Sequence, residues 1–243
     1  MKHRKFYEFL FSIRNSDDRK FKILTIAGMT FKFKKREMVD KQPFSSTGYW
    51  EKRYSSGQTS GAGAFGHLAE FKSQVINDFI RQNNIESVIE FGFGDGNQLA
   101  LYDLPKYIGF EISQTIVDKV ARTYINDPNK IFKNINQYNG EKGELAMSIE
   151  VVFLIPEDNI FNEYMHRLFD SSTKFVIIFS SNRNEVQSEY LVHRKFTDWI
   201  QDNAKNWKKI KYIKNKYTDN GILSPERSFS DFYIYEKINN EGI

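Results

Sequence analysis

The segment Val88-Ile-Glu-Phe-Gly-Phe-Gly-Asp-Gly-Asn-Gln98 decides the fold of this chain. Its first residues belong to a short apolar run, from Ser87 to Phe91, that is typical of a buried strand. Glycines then stand at positions 92, 94 and 96. Because glycine has no Cβ, such a turn lets the backbone bend sharply and approach a ligand closely. The segment therefore predicts a strand that ends in a ligand-binding turn.

A second apolar run follows the glycine turn and ends in an acid. It reads Tyr107-Ile-Gly-Phe110, and Glu111 comes next. An acid at this point can accept hydrogen bonds from both hydroxyls of a ribose. The glycine spacing differs from the G-x-G-x-x-G of dinucleotide-binding folds, and the turn lacks the Lys and Ser/Thr of a phosphate-binding loop. The motif therefore excludes both of those classes.

At these residues the chain resembles the class I S-adenosylmethionine-dependent methyltransferases. Glu90-x-Gly-x-Gly-x-Gly96 is similar to their first motif, and Glu111 is similar to the acid that binds the cofactor ribose. The resemblance implies a Rossmann-like methyltransferase fold, with S-adenosyl-L-methionine as the cofactor.

The resemblance extends over roughly residues 45–236 and points to one branch of these enzymes. That branch is associated with bacterial capsule and O-antigen polysaccharide biosynthesis. The similar segments are Tyr49–Tyr54, Ser60–Lys72, Ser148–Leu154 and Val192–Trp199. Relatives often have Asp and, four residues later, His in the third of these segments, whereas this chain has Glu150 and Leu154.

Strands and helices alternate along most of the chain, and the strands are apolar on both faces. This pattern predicts an α/β fold with a doubly wound, seven-stranded, mostly parallel sheet and an antiparallel end strand. The fourth strand is predicted over Leu145–Leu154. Residues 42–243 are expected to form this domain. Residues 1–41 are expected to form a small extension, with a helix over Met1–Arg14 and a β-hairpin over Phe21–Lys34.

The positive charge of the chain is concentrated in this extension. The 243 residues carry a formal net charge of +4. Residues 1–41 hold 12 Lys and Arg against 5 Asp and Glu, a net charge of +7, so the remainder is slightly acidic at −3. The basic hairpin is expected either to pack on its own domain or a partner subunit, or to contact an anionic surface. That surface would be membrane headgroups or a phosphorylated glycan carrier.

The composition excludes several classes of protein. A hydrophobic content of 40% with 16% aromatic residues argues against disorder. The absence of Cys rules out a disulfide scaffold, a thiolate metal site and a cysteine nucleophile. No His/Asp pair stands at ligand spacing, so no metal is expected. No apolar run approaches the roughly 20 residues of a membrane span and no signal peptide opens the chain, so we expect a cytoplasmic protein, or one peripheral at the inner membrane.

Methylation of a hydroxyl requires a group that takes its proton. We expect His193, after the fifth strand, to be that group or a substrate contact, with Asp198 as its orienting partner. His67 is the second choice. Glu150 and Ser148, near the end of the fourth strand, are expected to face the sulfonium or the substrate.

Two basic residues beside His193 bear on the charge of the acceptor. Arg194 and Lys195 would suit an anionic group, such as a nucleotide-linked or phosphorylated one. The alternative is that both are solvated residues at a helix start.

The remaining site residues follow from the resemblance. The glycine turn is expected to border the methionine part of the cofactor, and the residues after the second and third strands its adenosine part. The expected cofactor-binding residues are Tyr49, Arg53, Glu90, Gly92, Gly94, Gly96, Asn97, Glu111, Ile112, Asn136, Gln137 and Ser148.

The function that the resemblance implies is O-methylation of a bacterial surface-polysaccharide precursor. The acceptor would be a small-molecule or nucleotide-linked glycan precursor, methylated on a sugar hydroxyl or on a phosphoryl or phosphoramidate group. A nucleic-acid methyltransferase is one alternative, but the segment after the fourth strand reads Glu150-Val-Val-Phe153 rather than Asn/Asp-Pro-Pro-aromatic. A non-catalytic cofactor-binding scaffold of a glycan-assembly complex is the other. The oligomeric state stays open.

Overall fold

The computed structural model of the protein describes residues 11–15, 21–26, 29–34, 44–218 and 226–238. The chain divides into two compact units, residues 1–43 and residues 44–243. Within the described residues, no helix combines the length and the apolar character that crossing a membrane requires.

The first unit contains a small antiparallel sheet. Strands β1 (Phe11–Asn15), β2 (Phe21–Ile26) and β3 (Met29–Lys34) pair in that order. Ile26 faces Met29 across the β2–β3 pair, so the predicted hairpin is present. The predicted helix over Met1–Arg14 is wrong at its end, because residues 11–15 form β1, and residues 1–10 lie outside the described residues. The backbone hydrogen bonds of β1 are made to β2, and the spacing of apolar residues within 1–14 cannot indicate this non-local pairing.

The second unit contains five α-helices and nine strands within the described residues. It begins with helices α1 and α2, which precede the first strand of the large sheet. The helices are α1 (Ser46–Ser55), α2 (Gly66–Gln82), α3 (Gln114–Thr123), α4 (Asp158–Asp170) and α5 (Phe196–Asn203). The strands are β4 (Ser87–Phe91), β5 (Lys106–Glu111), β6 (Lys130–Asn134), β7 (Gly143–Ile149), β8 (Ser172–Ser180), β9 (Glu185–Val186), β10 (Val192–His193), β11 (Trp207–Ile213) and β12 (Asp231–Lys237).

The large sheet confirms the predicted architecture. In the described part of the chain it has seven strands in the order β11-β12-β8-β7-β4-β5-β6. The run from β8 to β6 is parallel, and β12 pairs antiparallel with both β8 and β11. The antiparallel strand is thus the last in the chain but lies second from the edge of the sheet. Strands β9 and β10 form a separate short hairpin.

Helices cover both faces of the sheet, so the central strands are buried on both sides. Helices α2 and α3 pack against one face with residues such as Ile177 of β8. Helices α4 and α5 pack against the other, where Ile178 of the same strand points. Burial of each such side chain contributes about 1.5–3 kcal/mol, and this two-sided burial explains the continuous apolar runs in the sequence.

The fourth strand of the parallel run is shorter than predicted. It ends at Ile149, and Val152–Leu154 form a turn of 3-10 helix rather than the end of a strand. Glu150 adopts a φ of +60°, which takes the chain out of the extended conformation directly after Ile149. Apolar residues continue beyond this point because Val152 and Phe153 are buried in the core.

Candidate active site

A cavity of about 300 Å³ lies at the carboxyl ends of β4, β5 and β7. Ligands of open α/β sheets bind at this edge. The glycine turn after β4 forms one wall of the cavity, and α1, α4 and the residues following β6 and β7 contribute others. The parallel sheet thus brings together the ends of β4, β5 and β7, of which β7 is distant in sequence from the other two.

The glycine turn requires glycine for two reasons. Gly92 and Gly94 have φ values of +85° and +64°, in the left-handed region that other residues rarely adopt. A Cβ at Gly92 would lie closer than van der Waals contact to Val151, and one at Gly94 would collide with the Ser60 hydroxyl. The backbone of this turn is therefore packed between neighbouring segments while its other side faces the cavity.

Glu111 stands at the end of β5 and is tied to the glycine turn. The backbone N–H of Gly94 donates to its Oε2 at 3.0 Å, and that of Ile112 donates to its Oε1 at 2.7 Å. Burial raises the pKa of this carboxyl group, and the two backbone hydrogen bonds oppose that shift. The result is a buried acid at a fixed position on the cavity wall.

Glu90 lines the cavity just before the glycine turn. Its Oε2 accepts a hydrogen bond from the Tyr107 hydroxyl at 2.8 Å. Burial raises the pKa of Glu90 to about 7, while this hydrogen bond and the charge of Lys72 act in the opposite direction. Glu90 is therefore a carboxyl group whose charge changes near neutral pH.

Glu150 lies directly after β7 and belongs to a cluster of side chains. The ammonium of Lys72, on α2, lies 2.7 Å from its Oε2, and the Ser228 hydroxyl donates to its Oε1 at 2.8 Å. Lys72 is only 2% exposed. Gly63 approaches the same carboxylate so closely that a Cβ there would overlap it. A left-handed backbone and a partly buried ion pair together fix Glu150 at the cavity.

Helix α1 lines another wall and is held by polar contacts at its first residue and in its middle. The backbone N–H of Ser46 donates to Oε1 of Glu157, before α4, at 2.8 Å. The carboxylate of Glu51 accepts from the Ser113 hydroxyl at 2.7 Å and from the Thr115 hydroxyl, at the start of α3. Hydrogen bonds from Thr115 and Ser113 lower the pKa of Glu51. These contacts attach α1 to two sides of the cavity.

The segment after α1 is joined to the glycine turn by a reciprocal pair. The Ser60 N–H donates to Oδ2 of Asp95 at 2.7 Å, and the Asp95 N–H donates to the Ser60 hydroxyl at 2.8 Å. The Tyr54 hydroxyl lies 3.1 Å from the same Ser60 oxygen. The chain before the sheet thereby contributes to the binding turn itself.

Seven of the predicted site residues line the cavity and are brought together there. They are Glu90, Gly92, Gly94, Glu111, Ile112, Asn136 and Glu150.

The other predicted cofactor contacts lie outside the cavity lining. The Tyr49 ring stacks on Tyr190 at 4.9 Å, and Arg53 Nε donates to the carbonyl of Thr59 at 2.7 Å. Ser148 is fully buried, with its hydroxyl 2.6 Å from that of Tyr164. The remaining three belong to the turns at the ends of β4 and β6: Gly96, Asn97, which is exposed, and Gln137, whose side chain accepts from the Asn134 N–H at 2.9 Å.

The predicted pairing of His193 with Asp198 does not form. His193 is 2% exposed, with Nδ1 2.6 Å from the Ser181 hydroxyl and Nε2 3.0 Å from Oε1 of Gln187. Asp198 is exposed and pairs with Lys195 at 2.9 Å, because Lys195 directly precedes α5 and Asp198 lies on the first turn of that helix. Burial, aided by the charge of Arg183, lowers the pKa of His193. Its ring is thus part of a buried network outside the cavity lining.

His67, the second candidate base, also has a structural partner. Its Nε2 lies 2.8 Å from the carbonyl oxygen of Glu226, and its ring packs on Tyr217 with 4.2 Å between centroids. Across the described residues, no group of three His, Cys, Asp or Glu side chains is arranged to hold a metal ion.

Lys72 and Ser228 are the site residues that sequence reasoning missed. Lys72 falls on the apolar face of α2. From the sequence, this position requires only that the aliphatic part of the side chain packs on the core, so it does not indicate a site residue. A lysine on an apolar face is a signal for a buried acidic partner, but the sequence does not say which acid. Ser228 gives no signal, since it lies in a loop far from the motifs.

The fold is that of the class I S-adenosylmethionine-dependent methyltransferases. Magnesium protoporphyrin IX methyltransferase (ChlM) from Synechocystis PCC 6803 with bound S-adenosylmethionine superposes with a TM-score of 0.58 at 11% identity, covering 80% of this chain and 98% of that chain. N-methyltransferase NodS from Bradyrhizobium japonicum WM9, in complex with S-adenosyl-L-homocysteine, gives 0.56 at 9% identity, covering 70% and 87%.

A third similar structure is the methyltransferase domain of bacterial CtHen1. It gives a TM-score of 0.53 at 15% identity, covering 70% of this chain and 100% of that chain. No protein-family model and no curated protein sequence matches the chain. The likeness to known proteins is therefore one of fold.

Proposed function

We propose that the protein is an S-adenosylmethionine-dependent O-methyltransferase. The observation that carries the proposal is the hydrogen bond from the Gly94 N–H to Glu111, which joins the glycine turn and the strand-end acid on one cavity wall. Both elements of the motif thus face the same ligand site.

The residues present fit this cofactor. Glu111 offers a carboxylate for ribose hydroxyls, and Ile112 and Asn136 line the cavity on the same side. Gly92 and Gly94 line the cavity where the methionine part would lie, and the buried Glu90 carboxyl stands beside that turn, where it would meet the ammonium group. When bound, S-adenosylmethionine would supply a methyl group on a positively charged sulfur. The residues that would hold it are Gly92, Gly94, Glu90, Glu111, Ile112 and Asn136.

The acceptor in this proposal is a precursor of a bacterial surface polysaccharide. Support comes from the resemblance of residues 45–236 to that branch of methyltransferases. The methylated group is a sugar hydroxyl or a phosphoryl group on a nucleotide-activated donor. A nucleotide-activated acceptor implies, in this proposal, that the protein works in the cytoplasm.

The small sheet of residues 11–34 supports a peripheral contact with an anionic membrane. Met29, Phe31 and Phe33 of β3 are exposed and share one face of the strand. Lys22 of β2, which pairs with Phe33, is exposed on the same face. A face with exposed apolar side chains and a lysine matches the requirements of an anionic lipid surface. Co-sedimentation with phosphatidylglycerol vesicles but not with phosphatidylcholine vesicles is the expected result.

The cofactor part of the proposal is tested by binding of S-adenosylhomocysteine. We expect a rise in Tm and a saturable calorimetric titration, because the product retains the groups that the cavity walls contact. Transfer of a labelled methyl group to a panel of nucleotide-activated sugars tests the acceptor part. Absence of any stabilisation by S-adenosylhomocysteine would contradict the whole proposal.

A further inference from the structure

The charged side chains that line the cavity are mostly acidic. In the described part of the chain, the acids are Glu90, Asp95, Glu111, Glu150 and Glu163, and the bases are Lys72 and Arg167. Both bases are already paired, Lys72 with Glu150 at 2.7 Å and Arg167 with Glu163 on the same helix. A negatively charged group entering this cavity therefore meets no unpaired cation from these residues.

The basic residues expected to suit an anionic acceptor are engaged elsewhere. Arg194 donates to the carbonyl of Pro156 at 2.6 Å and pairs with Asp158 at 2.8 Å. Lys195 pairs with Asp198. The structure thus uses both cations to hold α4 and α5, which removes the main sequence argument for a phosphoryl acceptor.

The strand order places Glu150 on the side of the glycine turn away from Glu111. Strand β4 lies between β5, which ends in Glu111, and β7, which Glu150 follows. Neighbouring strands are about 4.8 Å apart, so these acids leave the sheet about 10 Å from each other. A cofactor with its ribose at Glu111 would leave the β7 side of the glycine turn, where Glu150 stands, for the acceptor.

Glu150 is built into this position at a cost in backbone strain. Its φ of +60° is rare for a residue with a side chain, and strain of this kind is concentrated at functional sites. Lys72 and Ser228 each contact one carboxylate oxygen, and the side chain remains 20% exposed while lining the cavity. Each oxygen therefore keeps a lone pair for a further donor.

Resting on the proposed function, we propose that the methylated group is an uncharged hydroxyl whose proton is taken by Glu150, with Lys72 and Ser228 as positioning residues. The acceptor oxygen forms the new bond to the methyl carbon with its own lone pair. The carbon–sulfur bond breaks with its electron pair going to sulfur, which becomes neutral, and the hydroxyl proton passes to a Glu150 oxygen. A phosphoryl oxygen would instead bring a second negative charge to this carboxylate.

A binding experiment tests the charge at this position without any acceptor. Sinefungin carries an amine in place of the methylated sulfur centre, and this amine is protonated near neutral pH. We expect the full-length protein to bind sinefungin about 10-fold more tightly than S-adenosylhomocysteine, because the cation faces Glu150. Glu150→Gln should reduce this preference to about 2-fold or less. An unchanged preference in Glu150→Gln would overturn the proposal.

Two further variants keep the binding test interpretable. Glu150→Gln leaves Lys72 buried without an anion, so the double variant Lys72→Met/Glu150→Gln replaces the ion pair by neutral groups and should lose the sinefungin preference equally. The matched control is Glu185→Gln, which removes an exposed ion pair with Arg183 and should retain the full preference. Retention of the preference in the double variant would also overturn the proposal.

Product analysis on the wild-type protein tests the acceptor group directly. Nuclear magnetic resonance of methylated UDP- and GDP-sugars should place the methyl on a carbon-bound oxygen, and a methyl on a phosphoryl oxygen would overturn the proposal. Ser228→Ala should lower kcat about 10-fold with an unchanged KM for the cofactor, and Ser228→Thr should restore it. A Ser228→Ala effect on KM alone would contradict the positioning role. Failure of S-adenosylhomocysteine to bind would instead refute the proposed function.

Discussion

Glu111 and Glu150 are the same residue type at equivalent places in the sheet, but they are held in different ways. Each stands at the carboxyl end of a parallel strand and lines the same cavity. Backbone N–H groups of Gly94 and Ile112 hold the first. Side chains from α2 and from the loop before β12 hold the second.

The difference shows which parts of the site depend on local sequence and which on the assembled fold. Backbone donors follow from the course of the chain, so a glycine turn and the next strand end are enough to fix Glu111. Side-chain donors exist only where particular residues have been placed by distant elements. Glu150 is therefore held by partners that its own neighbours in sequence do not reveal.

Gly92→Ala should disturb both the Glu111 side and the Glu150 side of the cavity. The new Cβ would meet Val151, next to Glu150, and the φ of +85° would strain the turn that holds Glu111. We expect binding of S-adenosylhomocysteine to weaken by about 100-fold or more, measured by isothermal titration.

Gly140→Ala is the matched control for this change. Gly140 has a φ of +82° and is exposed, and a Cβ added there would meet none of the described atoms within 4 Å. The left-handed strain alone should cost about 1–2 kcal/mol of stability in both variants, with cofactor binding lost only in the first. Equal binding by the two variants would show that space at the turn is irrelevant.

Glu111→Gln and Glu150→Gln should differ in their effect on the affinity for the cofactor product. Removing the charge weakens the hydrogen bonds to ribose, so the Kd for S-adenosylhomocysteine should rise about 10- to 100-fold. Glu150→Gln should change it by about 3-fold or less, because that acid faces the acceptor side. Similar losses in both variants would remove the distinction between the two sides.

Comparison of Glu90→Gln with the wild type should show how the stability of the folded protein depends on the protonation of Glu90. The pKa of Glu90 is about 7 in the folded protein against 4.5 ordinarily, so the folded state keeps a proton that the unfolded state has released. The wild type should therefore lose stability, relative to Glu90→Gln, as pH rises from 4.5 to 7. Between pH 6 and 7 the loss should be about 1 kcal/mol in urea unfolding, and a constant difference between the two proteins would contradict it.

Asp198→Asn should have the smallest effect and provides the baseline for an exposed acid. Its partner Lys195 is similarly exposed and stands just before the same helix, three residues earlier. We expect a change in unfolding free energy of about 0.5 kcal/mol or less and unchanged cofactor binding. A large loss of methyl transfer in this variant would revive the predicted partnership with His193.

The parts of the structure that could be predicted are those set by local pattern. The seven-stranded sheet follows from apolar runs alternating with helical stripes, and the glycine turn follows from three residues. The predicted helix over Met1–Arg14 is wrong at residues 11–14, because pairing with β2 overrides helical spacing. The predicted fourth strand is too long, because Val152 and Phe153 are apolar residues that pack in the core from a turn and do not pair in the sheet.

The candidate site divides along the same line. Glu111, Gly92 and Gly94 could be placed from the motif alone. His193 is a candidate from the sequence because it lies near the ligand-binding edge of the sheet. Its hydrogen-bond partners Ser181 and Gln187 are brought to it by the β9–β10 hairpin, which the sequence pattern does not predict. Spacing along the sequence cannot show which way such a ring points.

The contacts of Glu150 also constrain the order in which the site is assembled. Glu150 lies 78 residues after Lys72 and 78 residues before Ser228. Closing loops of this length is slow compared with forming local contacts, and chains emerge from the ribosome N-terminal end first. The backbone groups that hold Glu111 lie within residues 94–112, whereas the side chains that hold Glu150 extend to residue 228. We therefore expect the contacts of Glu111 to become available earlier in synthesis than those of Glu150.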